Sequence, residues 1–346
     1  MSRKLKIVID DKIPFINGVF DDYAQTVFKP GKDICHEDLV DADALVVRTR
    51  THCDSALLEG TRVTLIATAT IGMDHIDVEW CEAHGIEVVN AKGCNAGGVM
   101  QYVFSALFGV CSHNSISLDN KTFGIIGVGN VGSKIEMMAR YLGFRVLLCD
   151  PPRAQAEGPE AFVDLDTLLR ESDVVSMHVP LNSETRGMAD DSFFLKMKSG
   201  AVFINAARGE IVVDEALKNA RPKLGALIID TWNNEPDIDR ELLEMADVAT
   251  PHIAGYSYQG KMKGTAMAVQ AVARRFGIYQ LYNFYPVEMP EDVPQRLDLA
   301  DKTQGQRAAV FQYNYPVFTD DFMFRMDPDN FEKFRENYSY RREIYI

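Results

Sequence analysis

The stretch TFGIIGVGNVG, residues 122 to 132, constrains this chain more than any other, because Gly127, Gly129 and Gly132 stand at one turn behind an apolar, β-branched run. A lone GxGxxG is weak evidence, since glycines also mark bulges and tight turns; context decides. Here the run before the turn reads as a strand, NVGSKIEMMARYLG after it reads as a helix, and FRVLLCD follows as a second strand ending at Asp150. A strand, a glycine turn, a helix and an acid about 20 residues on form the arrangement that binds a dinucleotide. Gly127 permits the tight turn, Gly129 lets backbone amides approach a pyrophosphate, and Gly132 allows close helix–strand packing. Asn130 and Val131 complete the turn, and the helix N-terminus holds the anion. Asp150 accepts hydrogen bonds from a ribose 2′-hydroxyl and repels a 2′-phosphate, which favours NAD over NADP. Arg153, three residues on, works against that preference.

Further strand patterns flank this motif. KIVID, ALVVRT, VTLIATAT and IEVVN precede it at helix-length intervals, and DVVSMHVP, AVFINAA, LGALIID and DVATPH follow it. Strands so spaced imply crossover connections and parallel sheets, and runs apolar on both faces imply helices above and below. The expected fold is α/β, two Rossmann-like doubly wound parallel-sheet domains with a cleft between them. GGVMQYVFSALFGVCSH reads as a long apolar helix joining the two series, and GKMKGTAMAVQAVARRFG as a helix that makes the first domain discontinuous if it packs back on it. After about residue 280 the texture changes: residues 281–346 hold 14 of the 34 aromatic residues, which argues against a floppy tail. A small third module at a subunit interface is expected there; the alternative is an arm covering its own chain.

Composition narrows the partners. A net charge of −14 without a local basic run argues against a nucleic-acid ligand. No window approaches the ~18 apolar residues of a membrane span, and MSRKLKIVIDD lacks the features of a secretory leader. The six cysteines show no CxxC or metal-like spacing, so reduced thiols, a reducing compartment and a cytoplasmic protein without a metal are expected.

Nicotinamide chemistry moves a hydride, so the reacting oxygen needs a proton partner and an acidic substrate needs a fixed cation. The second strand series supplies both at its carboxyl ends, where open parallel sheets place ligands. AVFINAARGE delivers Arg208, LGALIIDTWNNEP delivers Asp230 and Glu235, and DVATPHIAGYS delivers His252. Arg208 is suited to grip a carboxylate, and His252 to act as acid/base near neutral pH with Glu235 orienting it. In VVRTRT, Arg48 and Arg50 suit a phosphate, or else pair with acids on the surface. Lys92 and Asn95 are weaker candidates for the same cleft. Arg341 and Arg342 either reach a neighbouring subunit's site or are solvated charge.

GIIGVGNVG, NAARGEIVVDEAL, DTWNNEP and PHIAGYS, with VVRTRT and TATIGMDHID, resemble the NAD-dependent D-isomer-specific 2-hydroxyacid dehydrogenases over about residues 5 to 280. The resemblance implies a substrate-binding domain split over 1–97 and 255–280, an inserted NAD-binding domain over 98–254, and a catalytic set of Arg208, Glu235 and His252. It implies cofactor contacts at Asp150, Val179, Ala206, Ala207, Arg208, Asp230 and Gly255 beside the glycine turn. It also implies substrate contacts at Thr49, Thr70 and Tyr256, to which the residue reading adds Arg48. LLCDPPRA, GCNAGGV, TPHIAGYSYQGKMKGT and the tail FEKFRENYSYRREIY resemble members that act on a phosphorylated four-carbon hydroxyacid and dimerise through a C-terminal domain, here 281–346, which implies a homodimer. Two departures stand out: Gln101 replaces an acid common at that helix position, and the tail is short. Rival readings are a three-carbon phosphorylated acid as substrate, another D-2-hydroxyacid, and an NAD-sensing binding protein with little turnover.

Overall fold

Each apolar run named above is a parallel strand in the computed structural model, which describes residues 3–287 and 295–346. One sheet contains β1 (Leu5–Asp10), β2 (Ala24–Lys29), β3 (Ala44–Val47), β4 (Leu65–Thr68) and β5 (Glu87–Asn90), in the order β2-β1-β3-β4-β5. The other contains β6 (Thr122–Ile126), β7 (Arg145–Cys149), β8 (Val174–Met177), β9 (Val202–Asn205), β10 (Ala226–Ile229) and β11 (Val248–Ala249), in the order β11-β10-β9-β8-β6-β7. The strand missed from sequence, β2, lies at a sheet edge and mixes polar with apolar residues, so it carries no continuous apolar run.

Both sheets are covered on two faces, and alternate residues show it. Ile125, Val174 and Ile204 enter one core of the second sheet, while Ile126, Val175 and Phe203 enter the other. In the first sheet Ile7, Ile9 and Val46 face one core and Val8, Leu45 and Val47 the other. Each sheet also reverses its winding, between β1 and β3 in the first and between β6 and β8 in the second. Such reversals part the loops at the strands' carboxyl ends and leave a crevice for a ligand.

The chain divides into two units, Met1–Asn95 with Tyr258–Val293, and Ala96–Ser257 with Pro294–Ile346. The Tyr258–Phe276 helix completes the first, burying Ala268, Val269, Val272 and Ala273 in one of its cores. The tail departs from expectation: residues from 295 onward are part of the second unit and not a body of their own. The reason lies in the Ala96–His113 helix, which is apolar all round and buried from Ala96 to Cys111. One side of it is covered by the tail, where Phe311 lies 6.2 Å from Phe104 and 5.3 Å from Phe108, with Tyr315, Val317 and Ile344 in the same core. The tail is therefore an arm on its own chain. Among the described residues no helix is long and apolar enough to cross a membrane, and no cluster of side chains is suited to a metal ion.

Candidate functional site

The glycine turn of the second unit has the conformation that its residues imply. Gly127 adopts φ +85°, and a Cβ there would stand 2.7 Å from the backbone of His178 and Val179, which come from the loop after β8 across the winding reversal. This contact places Val179 beside the turn. A Cβ at Gly132 would stand 2.1 Å from the Gly127 carbonyl oxygen, so only glycine lets the Asn130–Tyr141 helix start this close to β6. At exposed Gly129 a Cβ would meet no protein atom within 4 Å; exposed Asn130 and half-buried Val131 follow. A bare turn with open space in front of a helix N-terminus fits a pyrophosphate.

Asp150 fits a ribose. Its Oδ2 accepts from the Val128 amide (2.7 Å) and its Oδ1 from the Arg153 amide (3.0 Å), so the carboxylate is fixed while each oxygen keeps a further lone pair. Arg153 does not work against NAD as its sequence position suggests. Its guanidinium forms a two-pronged pair with Glu157 (2.7 and 2.7 Å) and donates to the Val128 carbonyl (2.7 Å), so its charge is already matched.

Arg208, Glu235 and His252 sit on loops at the carboxyl ends of three adjacent strands, β9, β10 and β11. Asn205, which sequence reasoning passed over, shapes the first loop: its side chain accepts from the Ala207 amide (3.1 Å) and donates to the Arg208 carbonyl (2.9 Å). Half-buried Ala206 and buried Ala207 line this bend, and Arg208 donates back to the Ala207 carbonyl (2.8 Å). Gly209 then lets the first two loops touch, since a Cβ there would stand 1.9 Å from the Trp232 carbonyl carbon.

Glu235 is held at both oxygens. Oε1 accepts from the Trp232 amide (3.0 Å), and Oε2 lies 2.8 Å from His252 Nδ1. Burial works against its charge, but the His252 imidazole, the Trp232 amide and the nearby Arg335 guanidinium outweigh it and keep the carboxyl below the usual glutamate range. With Nδ1 turned to Glu235, His252 has Nε2 as its other ring nitrogen. Its backbone is strained at φ +56°, a conformation costing on the order of 1–3 kcal/mol for a non-glycine residue. Asp230 offsets this: only 1% exposed, it accepts from the Thr250 hydroxyl (2.6 Å) and from the amides of Ile253 (2.8 Å) and Ala254 (2.9 Å), winding the 250–254 turn about one carboxylate. Burial pushes the Asp230 carboxyl up, against these three donors. His178, after β8, lies 2.8 Å from the Ser176 hydroxyl through Nε2, and burial pushes its imidazole down to about 3.

Beyond His252, Gly255 and Tyr256 continue the turn. The Tyr256 ring packs edge-on against Tyr338 (5.9 Å) and Tyr340 (6.2 Å) of the tail. Arg341 is neither solvated nor directed to a neighbouring subunit: it is 9% exposed, and its guanidinium donates to carbonyls of this same turn. No local signal marks it, because a buried arginine in a charged tail reads like any surface charge.

In the first unit the candidate residues follow β3 and β4. Arg48 donates through Nε (3.0 Å) and Nη2 (3.1 Å) to Asp10, the wholly buried last residue of β1, across that sheet's winding reversal. Its first role is thus to neutralise Asp10, and a phosphate would have to share it. Exposed Thr49 and half-buried Arg50 follow in the turn. Thr70 lies after β4 with its hydroxyl 2.7 Å from that of Thr68. Lys92, exposed, and Asn95, half-buried, lie beyond β5.

The chain matches the D-isomer specific 2-hydroxyacid dehydrogenase NAD binding domain over residues 109–254. It is 42% identical over 346 residues to an erythronate-4-phosphate dehydrogenase of Bacteroides fragilis, covering 98% of this chain and 97% of that one. Among solved structures it is similar to a D-lactate dehydrogenase of Aquifex aeolicus complexed with NAD and lactic acid, at 26% identity and TM-score 0.68 over 82% of this chain and 99% of that one. It is also similar to an NAD+-bound 3-phosphoglycerate dehydrogenase of Entamoeba histolytica, at 26% identity and TM-score 0.67 over 83% and 100% of the two chains.

Proposed function

We propose a function from one premise: the chain belongs to the D-isomer-specific 2-hydroxyacid dehydrogenases, in their erythronate-4-phosphate dehydrogenase group. It oxidises the C2 hydroxyl of 4-phospho-D-erythronate, giving (R)-3-hydroxy-2-oxo-4-phosphooxybutanoate on the route to pyridoxal 5′-phosphate (vitamin B6). Bound NAD supplies the hydride acceptor. His252 Nε2 takes the hydroxyl proton, and the charge that develops on the ring is matched by ionised Glu235 at Nδ1. Arg208 grips the substrate carboxylate and polarises the reacting oxygen. The substrate phosphate and hydroxyls fall to Arg48, Thr49, Thr70 and Tyr256. The reaction type is supported above all by the 2.8 Å His252–Glu235 contact one loop away from Arg208. The choice of acid is supported by likeness along 98% of the chain.

The protein works in the cytoplasm as a homodimer. Six free cysteines support the compartment. Support for the dimer comes from the tail's outer surface, where Phe322, Met323 and Met326 stand exposed on the Val317–Met326 helix and Tyr313 on the Gln304–Asn314 helix.

The test is turnover of 4-phosphoerythronate against 3-phosphoglycerate at matched concentration. NADH formation is followed directly, and the oxo-acid product is followed in parallel with 2-oxoglutarate present, so that a cofactor retained on the protein cannot hide activity. Selective oxidation of the four-carbon acid is expected. Equal or better use of the three-carbon acid refutes the choice of substrate, and no product from either refutes the reading as an enzyme of this group.

A further inference from the structure

The tail crosses its own chain at the turn that carries His252, and Arg341 bonds to three carbonyls of that turn. Arg341 Nη1 donates to the carbonyls of Ile253 (3.2 Å) and Tyr256 (3.0 Å); Nη2 donates to Gly98 (3.0 Å), at the start of the Ala96–His113 helix, and to Ala254. The guanidinium carbon lies 4.0 Å from the centre of the Tyr315 ring, and the Arg341 backbone pairs with Ser257 as a single parallel bridge. Two residues on, buried Glu343 accepts from the Ser257 hydroxyl (2.7 Å).

A buried arginine is costly unless its donors are met; here the two terminal nitrogens are met by three carbonyls of one turn, the Gly98 carbonyl and the Tyr338 hydroxyl, while buried Nε has no acceptor among the described residues. That turn needs holding. His252 is at φ +56°, and Asp230 fixes the amide side of residues 253 and 254. The carbonyls of the same residues point the other way and meet Arg341. Gly98 lets the turn rest against the long helix, for a Cβ there would stand 3.2 Å from the Gly255 carbonyl oxygen. The turn is thus gripped on its amide side by an acid from the nucleotide-binding sheet and on its carbonyl side by a base from the tail.

We infer that Arg341 is a positioning residue for the proposed reaction: through the carbonyls of Ile253, Ala254 and Tyr256 it sets where His252 and Tyr256 stand, so the C-terminal arm is part of the catalytic apparatus. The inference rests on the reading of His252 as the acid/base. It touches neither the glycine turn nor Asp150, so it separates turnover from cofactor affinity.

The experiment compares Arg341→Ala, Arg341→Lys and His252→Ala in the full-length protein, with thermal unfolding, NADH binding by fluorescence, and kcat and KM for 4-phosphoerythronate. Arg341→Ala is expected to bind NADH within about twofold of the parent and to lose about 10²-fold in kcat, the scale of an ångström misplacement. Low guanidinium, against sodium chloride at equal ionic strength, restores part of the loss by entering the vacated site, and Arg341→Lys falls between. A folded Arg341→Ala with kcat near the parent's overturns the inference, as does a loss of NADH binding as large as the loss of kcat. If the alanine variant does not fold, Arg341→Lys decides, and full kcat in it overturns the inference. Failure of both to fold overturns it in favour of a purely structural clamp. His252→Ala distinguishes the two levels: if it still turns over, the reading of the site is wrong; if it is inactive while Arg341→Ala is fully active, only this inference fails.

Discussion

Gly209→Ala isolates the contact between the Arg208 and Glu235 loops without removing a functional group. The added Cβ would stand 1.9 Å from the Trp232 carbonyl carbon, 2.1 Å from its oxygen and 2.3 Å from the Asn233 nitrogen. All three are backbone atoms, so no side chain can swing aside. Carbon atoms need about 3.5 Å, and the loops must part by roughly 1.5 Å. The Trp232 amide holds Glu235 and Glu235 holds His252, so the shift separates Arg208 from the other two. Overpacking of this kind costs about 1–3 kcal/mol, which lowers Tm by roughly 2–4 °C per kcal/mol in a unit of this size. The catalytic cost is larger: a misplacement of about 1 Å is enough for about 10²-fold in rate. Steady-state kinetics well below the variant's Tm, beside NADH titration, should show kcat falling about 10²-fold or more and NADH affinity falling much less, because the glycine turn follows β6, with β8 between it and β9. A folded variant with kcat within twofold of the parent would refute the reasoning that contact of these loops aligns the site.

Gly129→Ala should behave oppositely: with no protein atom within 4 Å of the new Cβ, Tm is unchanged, while a methyl against the cofactor at about 1–3 kcal/mol weakens NAD binding roughly 10- to 100-fold; unchanged affinity would sink the assignment of the turn. Glu235 has a lowered pKa in the folded protein, so its contribution to stability is whole above the ordinary glutamate value of about 4.3 and is lost as pH falls through the lowered value. The Tm difference between the parent and Glu235→Gln should therefore be largest near neutral pH and shrink in acid, and a difference independent of pH would show that the charge on Glu235 is not what stabilises the fold.

Much of this protein is local chemistry and can be read along the chain. Runs such as VVSM and ALII, short, apolar and spaced at helix lengths, read as strands covered on both faces, and a strand, GVGNVG and a helix in succession read as backbone brought to a phosphate. That Arg208, Glu235 and His252 stand on loops at one sheet edge was legible because each follows such a run, and parallel strands deliver their ends to one edge. What could not be read depends on partners distant in sequence. Nothing beside Arg48 in the sequence shows that Asp10, 38 residues away, pairs with it, so that a phosphate would have to share its guanidinium. Arg153 looks like a rival for the ribose until the Val128 carbonyl, 25 residues back, is seen to hold its guanidinium. The aromatic tail looks like a separate module until Phe311 and Tyr315 are found on the apolar helix that precedes the glycine turn. Arg341 looks like surface charge, although it grips the turn after His252. Hydrophobic period and backbone freedom are properties of neighbouring residues, so sequence alone determines strands, turns and the ends where chemistry collects. Whether a charge is buried, and what neutralises it, depends on which distant groups the fold brings within 3 Å, and only the tertiary structure decides that.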